Sequence, residues 1–147
     1  MTPGWRKHAV LAVRAVFVAF GVTPFLVNSL AQTPAFEWLA RPLDAWFTFQ
    51  CERAPLRMLS FGAVCARCLG IYGGMALGAL GVRLGLSGKR LELALGVAVL
   101  AMLADVASEG LGWRPAWAPL RVLTGIVLGV TATAVVVSAL RAWAQKP

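Results

Sequence analysis

Residues 118–142 read APLRVLTGIVLGVTATAVVVSALRA, with charge only at Arg121 near the start and Arg141 at the end. An apolar run of about 20 residues is what a helix needs to cross the hydrocarbon of a bilayer. Working outward, three more such runs appear, at about 9–30, 62–86 and 91–111. In the first, Arg14 lies near enough to the start for its stem to snorkel towards the headgroups, and Pro24 is expected to kink the helix. Arg6 and Lys7 precede that run as they would in a signal peptide. The run is long for one, however, and Ala31-Gln32-Thr33 is a poor cleavage site, so it reads as a retained span. Arg67 and Arg83 flank the second run, while Glu92 opens the third and Asp105 and Glu109 lie near its close. Ser87-Gly88-Lys89-Arg90 makes a tight connection, and Gly112-Trp113-Arg114-Pro115 breaks the chain before the last run.

The composition agrees. The chain has 147 residues, 59% hydrophobic and 14% charged. A soluble domain averages about 45–50% and about 25%. This excludes disorder and argues against an ordinary soluble enzyme. The net charge of +8 is scattered between apolar runs rather than gathered in a phosphate-tracking stripe, which argues against a nucleic-acid binder. Three cysteines do not make a disulfide scaffold.

The connection from 31 to 61 is more than a loop. Phe36, Leu39, Ala40, Leu43, Trp46 and Phe47 recur at helical spacing, with Glu37, Arg41 and Asp44 between them. That pattern predicts a short helix at about 35–48, lying in the membrane interface or packed on the end of the bundle. The expected fold is all-α. It is a four-helix transmembrane bundle in one integral membrane domain, 1–147, with an amphipathic interfacial helix in the first outer connection.

Orientation follows from the cations. With the N-terminus cytoplasmic, Arg6, Lys7, Arg14, Arg83, Lys89, Arg90, Arg141 and Lys146 fall inside. Arg41, Arg53, Arg57, Arg67, Arg114 and Arg121 fall outside, a split of 8 to 6. Trp5, Trp113, Trp117 and Trp143 lie near helix ends, as an aromatic belt requires. This reading puts the chain in a bacterial inner membrane with both termini cytoplasmic.

The residues able to do chemistry collect at the outer end. Cys65-Ala66-Arg67-Cys68 puts two sulfurs three residues apart, on one face of a helix. Such a pair, with Cys51 as a third donor, chelates a soft or borderline metal. The same pair can instead cycle between dithiol and disulfide, or be two small buried hydrophobes. Asp105 and Glu109, four apart, share a face of the third helix; they are functional candidates or the anionic halves of ion pairs to Arg114 and Arg121. Gly70, Gly74 and Gly78 step by four along the second helix, and Gly125 and Gly129 along the fourth. Small residues at this spacing let helices pack closely in lipid, within the chain or in a homo-oligomer or larger membrane complex.

In these residues the sequence resembles domain of unknown function 2085, a family of small membrane proteins. The family pattern runs Cys-His-Gln-x-Pro-x-Arg-Ser, then Cys-x-Arg-Cys-x-Gly-x-Tyr-x-Gly, then an Asp with a Gln four later, and an Arg before Thr-Gly. Cys51, Pro55 and Arg57 match the first block. Cys65, Arg67, Cys68, Gly70, Tyr72 and Gly74 match the second, and Asp105 and Arg121 with Thr124-Gly125 the third. The resemblance covers about 49–129. It implies a zinc site of three Cys and one His, but Glu52 stands at the His position and Glu109 at that of the later Gln. Carboxylate oxygen also binds zinc, so Glu52 or Asp105 would complete the ligands. Arg57, Arg67, Tyr72, Glu109 and Arg121 would then surround the ligands or bind an anion.

Three functions remain open on sequence. The first is a structural site for zinc or a similar divalent metal at Cys51, Cys65 and Cys68. The second is a membrane thiol–disulfide oxidoreductase, which lacks the second Cys pair of a complete relay. The third is an accessory subunit of a larger complex. No phosphate-binding glycine loop, Ser-His-Asp set or haem-binding His pair is present.

Overall fold

The computed structural model describes residues 4–50, 64–81 and 88–145. The chain runs α1 (Gly4–Ala31), a 3-10 turn (Pro34–Phe36), α2 (Glu37–Gln50), α3 (Ala66–Leu80), α4 (Lys89–Gly110) and α5 (Ala118–Gln145). Every element among the described residues is helical. Three are long and apolar enough to span a bilayer, over Trp5–Val27, Lys89–Gly110 and Ala118–Gln145. The helices α1 and α5 extend beyond the apolar runs: Arg6 and Lys7 lie within α1, and Trp143 and Gln145 within α5. Pro24 lies inside α1 with its side chain fully buried.

The second apolar run is not helical throughout. Val64 and Cys65 precede α3, and Gly81, in the left-handed region at φ 105°, ends it. Only glycine adopts that backbone without penalty. Fifteen residues at about 1.5 Å each give roughly 22 Å, short of the roughly 30 Å of a hydrocarbon core. The terminal carbonyls of α3 are met from the neighbouring helix: Arg14 Nε donates to the Ala79 carbonyl at 2.6 Å. This corrects the expectation for Arg14. Its guanidinium turns into the bundle and caps α3, where a cation also complements the negative end of the helix dipole.

The central helix is α3, packed between α1 and α5. On the α5 side the backbones touch. A Cβ on Gly74 would lie 3.0 Å from both Ile126 Cα and Val130 N, and one on Gly78 would lie 2.9 Å from the Val130 carbonyl. From the other side, a Cβ on Gly125 or Gly129 would lie 2.9 Å from the amide nitrogen of Ile71 or Met75. The rows 70/74/78 and 121/125/129/133/137 therefore face each other, and this glycine surface is occupied within the chain rather than open to a second copy. Thr133, fully buried in this row, has a hydroxyl with no hydrogen-bond partner among the described residues. On the other side of α3, Gly21 of α1 fits against Tyr72 and Ala76.

The predicted short helix exists as α2 and packs on α1. Ala40 and Phe47 are buried on one face of it, and Phe47 joins a core with Val27, Val64, Leu69 and Tyr72. The Tyr72 ring meets Phe20 and Phe47 at centroid distances of 5.6 and 5.5 Å. The opposite face leaves Trp38 73% exposed and Phe49 89% exposed. The last helix to place, α4, packs on α5 through a narrow stripe, Leu91, Ala98 and Asp105, each two turns apart.

Candidate functional site: an ion-paired cluster beside a thiol pair

The start of α3, the end of α4 and the start of α5 meet at one end of the bundle, and each contributes charge there. Arg67 donates from Nε and Nη2 to Asp105 Oδ2 at 3.1 and 2.6 Å, and from Nη2 to Glu109 Oε2 at 3.4 Å. Arg114 pairs from Nη2 with Asp105 Oδ1, and also donates to the Asp105 carbonyl at 3.1 Å and from Nε to the Ser108 hydroxyl at 3.0 Å. Arg121 grips Glu109 with a bidentate fork, Nε to Oε2 at 2.8 Å and Nη2 to Oε1. Side-chain exposure is 2% for Asp105 and 3% for Arg121, and no member exceeds the 24% of Arg114.

Helix ends do not explain this placement. Arg67 and Arg121 lie in the first turns of α3 and α5 and the acids near the C-terminus of α4, each of these four against the local helix dipole. They are there for one another. Ion pairing at the rim of an apolar slab offsets desolvation that would otherwise be prohibitive. Three guanidinium groups face two carboxylates, so these five side chains sum to a formal +1.

The thiols have different surroundings. Cys65 caps the start of α3 and Cys68 lies in its first turn; no disulfide joins them. Both are half-buried and pack, with Leu43 and Met75, against the core that contains Phe47 and Val27. Arg67 thus reaches α4, while the cysteines pack on the core that includes Val27 of α1 and Phe47 of α2.

The expected constellation is thus divided. Both oxygens of Asp105 are hydrogen-bonded to guanidinium groups, Oδ2 to Arg67 and Oδ1 to Arg114. Glu109 is likewise held by Arg121 and Arg67. Tyr72 is a core residue, one turn beyond Cys68 and Leu69. Cys51, Glu52, Arg53 and Arg57 lie outside the described residues. Among the described residues no group of three or more His, Cys, Asp or Glu is placed to hold a metal. Two contributors escaped the sequence reading. Ser108, three residues after Asp105, links Arg114 to the end of α4. Arg14 works at the other end of α3, and no local pattern points to its carbonyl partner.

A family model, DUF2085, described as a predicted membrane protein, matches residues 51–135. That is more than half of the chain. The chain belongs to this family. The DUF2085 match includes the three cysteines and all five members of the charged cluster, and leaves out α1, α2 and the end of α5. Comparison with curated proteins and with solved structures yields no match.

Proposed function

We propose that this DUF2085 protein is an integral membrane protein that holds one divalent metal, zinc by donor type, at the thiolates of Cys51, Cys65 and Cys68. The metal ties the connection after α2 to the start of α3 and has a structural role. One observation carries this reading. Cys65 and Cys68 share an apolar core with Phe47, in the last turn of α2, and Cys51 follows that helix directly after Gln50. Glu52 or a water completes the four ligands usual for zinc. Charge balance favours water as the fourth ligand: three thiolates and a divalent ion then sum to −1, and the arginine cluster at the same end carries +1. Asp105 has no part in the coordination and instead pins α4 to α3 through Arg67, and to the connection before α5 through Arg114.

The exposed aromatic face of α2 rests in the membrane interface, and both termini lie on the cytoplasmic side. Reporter fusions at Ser87 and at the C-terminus should read cytoplasmic, and one at Trp113 external.

Elemental analysis of the purified protein tests the metal. About one zinc per chain is expected, lost in each of Cys51→Ser, Cys65→Ser and Cys68→Ser, with double variants little worse than single ones. A metal-free protein with a Cys65–Cys68 disulfide that reductant opens reversibly overturns the proposal and makes the pair a redox centre.

A further inference from the structure

The opposite end of the bundle, outside the family match, carries a second built feature. The first turns of α1 and the last turn of α5 are clamped by aromatic contacts. Trp5 meets Trp143 edge-on at 5.2 Å, and the Arg6 guanidinium lies 5.4 Å from the Trp143 ring centroid. Beside this clamp a cavity of about 230 Å³ opens between the two helices, lined by Lys7, Val10, Arg141, Ala144 and Gln145. One cation comes from each helix, while Val10 and Ala144 supply apolar wall. The one described carboxylate at this end, Glu92 in the first turn of α4, forms no ion pair among the described residues.

We propose that this cavity binds the phosphate-bearing headgroup of an anionic phospholipid. Charge complementarity identifies the occupant: two cations line one cavity, and among the described residues no carboxylate pairs with either. Basic pockets between transmembrane helices bind anionic headgroups in this way. Size and setting agree. The cavity is smaller than the roughly 300–1,000 Å³ that encloses a whole small molecule, so it takes a headgroup whose acyl chains stay in the bilayer. The aromatic clamp holds α1 and α5 at the spacing that keeps the two cations on opposite walls.

The test uses the full chain in nanodiscs of phosphatidylcholine with a minor fraction of phosphatidylglycerol, and native mass spectrometry to read the lipid retained. Preferential retention of phosphatidylglycerol is expected. Lys7→Gln with Arg141→Gln should weaken it about 30-fold, since each cation near the surface contributes a factor of roughly five, and should leave thermal unfolding in detergent unchanged. Lys89→Gln with Arg90→Gln removes the same charge from the same end but away from the cavity, and should change retention less than threefold. Equal losses for the two pairs overturn the site in favour of diffuse surface charge. Loss of the retained lipid on adding millimolar inorganic phosphate overturns it in favour of a site for soluble anions.

Discussion

The helices α3 and α4 are held to α5 by opposite means. Against α3 the contact is backbone on backbone, made possible by five glycines and depending on nothing longer than a hydrogen atom at those positions. Against α4 it is a narrow stripe, Leu91 and Ala98, closed at one end by Asp105 and Glu109 in the grip of three arginines. The first contact tolerates no added volume; the second tolerates no lost charge. In lipid, where apolar surfaces gain little by meeting each other, close approach and ion pairing are two of the main ways to hold helices together.

Added volume at the α3–α5 contact should have the largest effect. Gly74→Leu puts a branched side chain where a Cβ already lies 3.0 Å from the α5 backbone. It should cost about 3 kcal/mol or more, seen as loss of folded protein on detergent size exclusion, whereas Leu77→Ile on the exposed face should stay within about 0.5 kcal/mol. Lost charge at the α4 end should come next. Glu109→Leu strands the buried Arg121 and should cost about 3 kcal/mol. Adding Arg121→Met should recover part of that, because a buried pair replaced by apolar side chains costs less than a broken one. A thermal-melt double-mutant cycle with no coupling would dissolve the contrast. Arg14→Met, which removes the cap on α3, should cost about 1–2 kcal/mol. The smallest change has the opposite sign. Thr133→Val removes an unpartnered buried hydroxyl at nearly constant shape and should raise stability by up to about 1 kcal/mol.

The same contrast explains what was legible in the sequence. Four-residue glycine spacing is a local pattern that identifies a packing face, though only the fold shows that α5 covers the face of α3. The three long apolar helices and α2 follow from hydropathy and periodicity. The short α3 does not, because the run 62–86 stays apolar through Gly81 and hydropathy is blind to a left-handed glycine. The charged cluster was half legible. Residues 105, 109, 114 and 121 are close enough in sequence to suggest pairing, and Arg67 joins from 38 residues before Asp105, a link only the tertiary fold makes. Residue type also cannot say which partners a carboxylate already has: those of Asp105 are Arg67 and Arg114.

The central claim is that the thiols and the charged cluster are separate centres, one holding a metal and the other holding helices. Measuring metal content and thermal stability together on Asp105→Asn and Cys68→Ser tests it most directly. Asp105→Asn should keep the zinc of the unaltered protein and lose about 3 kcal/mol of stability, while Cys68→Ser should lose the zinc. Loss of zinc from Asp105→Asn at unchanged stability would contradict the account and return Asp105 to the coordination sphere.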